Sequence, residues 1–112
     1  MPRNMSFAIT TEQAYNKTKT VTRRLGWWFL RAGDIVQQVE KGMGLKKGER
    51  VKKIHLIRIV DTRPEALLRI THDDVKREGF PDMTPYEFVN MFCEHNGCLT
   101  DDVVNRIEFE YL

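Results

Sequence analysis

Lys19-Thr20-Val21-Thr22-Arg23-Arg24 is the stretch on which the reading of this chain turns. Its β-branched residues open a strand, and its cations place positive charge along it. Lysine and arginine grip phosphate, arginine through two nitrogens at once. A threonine hydroxyl is a weak nucleophile until a base stands beside it. Lys19 is a candidate base for Thr22 where a dry, cation-rich cleft lowers its pKa. Residues three apart on a regular strand point to opposite faces. Lys19 and Thr22 therefore meet only if the backbone turns or bulges between them. A polar strand end with solvated cations is the plainer reading of the same residues.

Working outward, Trp27 and Trp28 follow. Adjacent tryptophans on a strand face opposite sides, so one is expected in the core. The other is then free to stack on a base, an interaction of about 1–3 kcal/mol; internal packing of both is the plainer reading of either ring alone. Gly33-Asp34 is a turn signal, and Ile35 to Glu40 reads as the strand after it. A second signal lies far downstream, Arg77-Glu78-Gly79-Phe80. Glu78 falls at the C-terminal end of a helix, where the macrodipole disfavours a carboxylate. Such a misplaced charge suggests a partner such as Lys19; a solvated surface glutamate is the plainer reading of Glu78 alone.

The remaining elements are read from caps and periodicity. Ser6 to Thr10 is a short first strand, and Thr11 caps a helix over Glu12 to Asn16. Lys41 to Lys53 is a glycine-bearing loop with cations at Lys41, Lys46, Lys47, Arg50, Lys52 and Lys53. These can follow a nucleic-acid backbone but, lacking interleaved aromatics, give affinity without base readout. Ile54 to Val60 is a strand with Ile54, Leu56 and Val60 as its apolar positions, blurred by Ile57 and Ile59. Arg63 to Ile70 extends or pairs with it, broken at Pro64. Thr71 caps a helix over His72 to Arg77, with Asp73 and Asp74 in its first turn, and Gly79 stops it. Thr84, Pro85 and Glu87 form a capping-box start, and Tyr86, Val89, Phe92 and Cys93 make that helix's apolar face. Val103 to Tyr111 alternates as a last strand, with Ile107, Phe109 and Tyr111 on one side and Arg106, Glu108 and Glu110 on the other. Strands in this number tend to curl or close, because closure removes exposed edges.

Composition bounds the function. The 112 residues suit one domain over 1–112, and 41% hydrophobic residues suffice for one core and not two. No apolar stretch reaches the ~20 residues of a membrane span. The start Met1-Pro-Arg-Asn-Met-Ser lacks a secretory core, and two cysteines are too few for a disulfide framework, so a cytoplasmic protein is expected. Cys93-x-His95-x-x-Cys98 offers three metal ligands where zinc sites show four, and we expect neither a metal nor a cofactor. Net charge is +2, yet residues 1–58 carry thirteen Lys and Arg against four Asp and Glu, a balance of +9. Residues 59–112 carry five against twelve, a balance of −7. If the fold separates the halves, a basic face will gather phosphate-bearing partners. If it interleaves them, the charges pair.

The order Lys19-Thr-Val-Thr-Arg-Arg24, Gly26-Trp27, Gly33-Asp34, Arg77-Glu78-Gly79-Phe80 and Glu87-Phe88 resembles the activating signal cointegrator homology (ASCH) domain family. The likeness covers roughly Thr18 to the C-terminus; each motif is short, and their order carries the specificity. It implies an α+β fold, a curled PUA-like β-barrel of about five or six strands with two or three helices, related to the pseudouridine synthase and archaeosine transglycosylase fold. It further implies a cleft for RNA, a nucleoside or a nucleotide. A small bacterial branch of that family acts as an acetylcytidine amidohydrolase through a lysine, a threonine three residues on and a distant glutamate. Carried over, these fall on Lys19, Thr22 and Glu78, with Arg24 holding substrate. The likeness also eases the geometric objection, since the cleft would lie where the strand begins. This chain departs from that branch in having Arg23 for an apolar residue, the Trp27-Trp28 pair and the long basic loop. We place Arg23, Arg24, Trp27 and Trp28 as substrate contacts and Lys46, Lys47, Arg50, Lys52 and Lys53 as nucleic-acid contacts. A non-catalytic binding module and a ribonuclease are the alternatives.

Overall fold

The computed structural model describes residues 2–42 and 44–112; Met1, and Met43 within the basic loop, lie outside them. The elements run β1 (Arg3–Ser6), α1 (Thr11–Tyr15), β2 (Val21–Arg24), β3 (Ile35–Val39), β4 (Lys53–Ala66), a 3-10 turn (Leu67–Arg69), α2 (His72–Arg77), α3 (Pro85–Asn96) and β5 (Val103–Tyr111). Five strands make one sheet in the order β1-β3-β4-β5-β2. Only β1 and β3 run parallel; the other neighbours are antiparallel. The fold is α+β, a curled half-barrel with three α-helices among the described residues.

The curl comes from β4. Its first half pairs with β3, and from Ile57 onward it pairs with β5. A register shift between Ile59 and Asp61 inserts a bulge, which bends a strand and raises its twist. The same region corrects the expected break at Pro64, since β4 runs through it. Beyond Ile59, among the described residues, the strand pairing of β4 is with β5 alone, so a proline at 64 interrupts no second ladder. The expected phase of this strand is also reversed. Ile57 and Ile59 are buried, while Leu56 and Val60 are exposed. An apolar run on both faces gives alternation no contrast, and the partners Val36 and Phe109 decide which face goes inward.

Two apolar clusters form where one was expected. The first fills the curl with Met5, Phe7, Val36, Ile57, Ile107 and Phe109 among others. The second lies under the helices, with Leu67, Val75, Phe88, Val89, Phe92 and Val104. Burial of a Leu or Phe side chain contributes about 1.5–3 kcal/mol, so each cluster anchors its own layer.

Other boundaries shift for local reasons. The first strand is Arg3–Ser6 rather than Ser6 to Thr10. Thr10, not Thr11, holds the N-cap position of α1 without a side-chain capping bond, and the Thr11 hydroxyl donates to Phe7 O at 2.8 Å. Residues 67–69 form the 3-10 turn rather than more strand. The α3 start is as read: Thr84 Oγ1 accepts from Glu87 N, Glu87 Oε1 accepts from Thr84 N, and Gly97 ends the helix at φ 67°. Its buried face is Phe88, Val89 and Phe92, while Tyr86 stands 75% exposed.

Candidate functional site

β1 and β2 are the two edges of the sheet, and the curl brings them face to face. Between them opens a cleft of about 240 Å³. The chain after β1 forms one wall and Lys19 to Arg24 another; Glu78 and Phe80 contribute a third, and Phe88, Met91 and His95 of α3 a fourth. The cleft thus lies between the two apolar clusters, where the barrel does not close. Its volume is just below the ~300–1,000 Å³ of ordinary small-molecule pockets, enough for one nucleoside-sized ligand and too small for a duplex.

Lys19 and Glu78 meet in this cleft. Lys19 Nζ donates to Glu78 Oε1 at 2.6 Å and to the Glu78 carbonyl at 2.9 Å. Both side chains are almost fully buried. Glu78 is the C-terminal cap of α2, so the ammonium satisfies a helix-end carbonyl and supplies the cation that end prefers. β2 starts at Val21, which leaves Lys19 ahead of the regular strand and free to turn inward. Tyr111 Oη donates to Lys19 O at 2.6 Å, and Thr20 N donates to Arg77 O at 2.8 Å, locking that approach. Gly79 permits it from the other side: its φ is +104°, and a Cβ there would lie 2.8 Å from Gln13 Cγ. Burial pushes the Lys19 ammonium below its ordinary pKa, with Glu78 opposing in part.

Arg23 extends the pair into a buried network. Its guanidinium reaches Glu78 Oε2 at 3.0 Å, Glu65 Oε1 at 2.7 Å and Asp74 Oδ2 at 2.6 Å. Arg106 closes the far side, with Nε to Asp74 Oδ2 at 2.7 Å and a second nitrogen to Oδ1 at 3.0 Å. Burial alone would lower the Arg23 pKa, but its three carboxylates outweigh it and hold the value above normal. Burial would raise Asp74, yet Arg106 and Arg23 hold its carboxyl well below the usual range. Glu65, Asp74 and Arg106 were not legible as site residues. Alternation assigned Arg106 to the solvent side, and capping rules explained Asp74 without any partner. The carboxylates of the acidic half were the available signal, since they answer the cations of the basic half.

Thr22 lines the same cleft and is buried. Its Oγ1 accepts from Arg24 Nε at 3.2 Å; among the described residues no hydrogen bond joins it to Lys19. Arg24 also lies over the Phe7 ring, 4.9 Å from its centroid. Burial pulls the Arg24 pKa down to about 10, with Glu78 opposing. Trp27 and Trp28 do not lie on a strand, which corrects the expectation of opposite faces. β2 ends at Arg24, and Trp27 adopts φ 61° in the turn that follows. Trp27 is half-buried against the first cluster and Phe29, while Trp28 is exposed. Lys46, Lys47, Arg50, Lys52 and Lys53 are all exposed. Their loop roots beside the cleft, for a Cβ on Gly42 would be 3.7 Å from that of Ser6, a wall residue. The Cys93 and Cys98 thiols are 3.4 Å apart at the end of α3, with exposed His95 on the cleft wall. No group of three metal-ligating side chains occurs among the described residues. None of their helices is long and apolar enough to cross a membrane.

No family model and no curated protein matches the chain. Solved structures do. A protein of Enterococcus faecalis V583 described as DUF984 aligns over 100% of this chain and 76% of its own, with TM-score 0.69 and 14% identity. An ASCH domain from Lactobacillus crispatus JV V101 aligns over 98% and 79%, with TM-score 0.64 and 16% identity. At those identities the likeness is one of fold, and the fold is ASCH-like, as the order of the motifs implied.

Proposed function

We propose that this protein binds a nucleoside unit, free or within RNA, in the cleft between its sheet edges, and deacylates an acetylcytidine-type base there. The observation that carries the reading is the buried Lys19–Glu78 pair at 2.6 Å in a cleft also lined by the Thr22 hydroxyl. In this mechanism Thr22 Oγ attacks the amide carbonyl and Lys19 takes its proton. Burial favours the neutral amine that this step needs. The Arg24 Nε–H, already donating to Thr22 Oγ1, is placed to steady the oxyanion that forms beside that atom, which leaves its terminal nitrogens free. The C–N bond then breaks as Lys19, oriented by Glu78, returns the proton to the departing base amine. Water attacks the acyl-threonine, releasing acetate and restoring the hydroxyl. The approach of Lys19 to Thr22 is assigned to the ligand-bound state, since catalytic hydrogen bonds commonly tighten on binding. Arg23 supports the set from behind, held by Glu65 and Asp74.

The test is acetate release from acetylcytidine by purified protein. Lys19→Ala is expected to lower turnover at least about 100-fold. No release above the uncatalysed rate sinks the enzymatic form. A second reading has its own support in the exposed basic loop rooted beside the cleft. Here the protein grips single-stranded RNA without chemistry. Affinity should then fall steeply with salt, and removing Lys46, Lys47 and Lys52 should flatten the slope by about 0.7 for each phosphate no longer neutralised. Cleavage of a labelled RNA that stops in Glu78→Ala would favour a ribonuclease instead. The two-cysteine chain keeps the cytoplasm as its proposed setting.

A further inference from the structure

Cation and carboxylate are matched throughout the buried network, and beside it stands one half-buried cation that is not. Lys19 and Arg23 are held by Glu78, and Arg23 and Arg106 by Asp74. Arg24 alone among these cations has no carboxylate within salt-bridge distance among the described residues. Its Nε goes to the Thr22 hydroxyl and its carbon lies over Phe7; its two terminal nitrogens have no hydrogen-bond partner among those residues. A guanidinium held in place by a ring and a hydroxyl, with its fork open, is shaped for a bidentate oxyanion.

Arg24 also lines a second, open depression of about 350 Å³, with Arg3, Leu25, Gly26, Trp27 and Phe29. Cleft and depression therefore share this one side chain as a wall. The depression is cationic and aromatic. Arg3 lies 4.8 Å from the Phe29 ring centroid, and Trp27 packs on Phe29 at 5.5 Å. Phe29 stays 55% exposed and Trp28 54%. Trp27 is held at φ 61°, a costly conformation for a bulky residue, and Asn105 Nδ2 donates to its carbonyl at 3.0 Å. Backbone strain that the surroundings maintain is a mark of a surface kept for use.

Resting on the reading of the cleft as a nucleoside site, we infer that its ligand carries a phosphate on Arg24, and that the Arg3–Trp27–Phe29 depression receives the next base of a single strand. The ligand class is thus a nucleoside phosphate, and its best form is a short single-stranded oligonucleotide. One base occupies the cleft, the linking phosphate lies on the shared guanidinium, and the neighbouring base rests on the cation-aromatic shelf. Stacking of this kind tolerates any base, so selectivity stays with the cleft.

The experiment measures binding of cytidine, its 3′- and 5′-monophosphates, the dinucleotide and inorganic phosphate to the whole chain by calorimetry. One monophosphate is expected to bind at least about tenfold tighter than cytidine, as a charge-assisted bidentate contact provides. The dinucleotide should gain again by a similar factor. Arg24→Gln should reduce the monophosphate to the level of cytidine, and Phe29→Ala should remove the dinucleotide's extra gain. Should Arg24→Gln fail to fold, the wild type still decides: the monophosphate's advantage should shrink as rising salt screens the charge pair, while cytidine binding stays flat. Equal affinity for cytidine and both monophosphates overturns the phosphate assignment and leaves the proposed function standing. Inorganic phosphate competing as well as the monophosphate overturns the link between the two subsites. Binding of none of the probes overturns both readings.

Discussion

Lys19 is an ammonium placed where an amine would serve better. Its folded pKa lies below the 10.5 of an ordinary lysine because burial disfavours the charge. Between the two values the unfolded chain binds more protons than the folded one, so stability rises with pH across that window. The same titration governs a base at this position. The pH–rate profile should therefore climb and level off below pH 10.5, and Lys19→Arg, which stays protonated, should be inactive and lack the climb. Gly79 shows the backbone side of the same contact. At φ +104°, with Gln13 Cγ 2.8 Å from any Cβ, Gly79→Ala should cost about 1–3 kcal/mol in denaturant unfolding. A carboxylate at a helix C-terminus hinted at a partner for Glu78, and Lys19 was one candidate, but a solvated surface glutamate read equally well from the same letters. The reach of Arg23 to Glu65 and Asp74 was not legible, because neither carboxylate is out of place locally.

At the scale of elements, α3 is the wall most open to test. Its start is set by local chemistry alone, Thr84 and Glu87 exchanging bonds across the first turn. Its position is set by Phe88 and Phe92 in the second cluster, whose neighbours line the cleft. Thr84→Ala should lower stability by about 1 kcal/mol, seen as a lower denaturant midpoint at unchanged slope. Because α3 walls the cleft and, among the described residues, makes no hydrogen bond to the Lys19–Glu78 pair, the loss should appear in ligand affinity before turnover. β4 shows where pattern reading runs out. Ile54, Leu56, Ile57, Ile59 and Val60 are apolar on both faces, and only the partner strands choose which face is covered.

For the molecule as a whole, the opposed charges of its two halves are mutual. Arg23 of the basic half meets Glu65, Asp74 and Glu78 of the acidic half, and Lys19 meets Glu78. The charged halves therefore interleave at the core, while the loop cations from Lys46 to Lys53 stay on the surface. Asp74 is the centre of this arrangement. Its folded pKa lies below the 3.8 of a free aspartate, so its contribution is present above that value and is lost as pH falls through the folded pKa. Asp74→Asn leaves Arg23 and Arg106 with fewer counter-charges and should cost about 3–5 kcal/mol at neutral pH. The variant's acid-unfolding curve should also be flatter below about pH 4 than the wild type's. A wild-type loss of stability under acid no steeper than that of the variant would contradict this role.

What the sequence by itself determined is local: the caps of α2 and α3, the stop at Gly79, the turn at Gly33-Asp34 and the motif order that marks the ASCH-like fold. The caps, the stop and the turn each depend on interactions within a few residues, so neighbouring letters suffice to reveal them; the motif order is legible because it is a property of the chain itself. Only the tertiary structure decided which strand faces are covered, that two clusters form, and that Asp74, Glu65 and Arg106 stand behind the cleft. The ion pairs among them join partners 32 to 51 residues apart. Desolvation and ion pairing act through space, and the chain's order carries no measure of distance in space until the sheet curls.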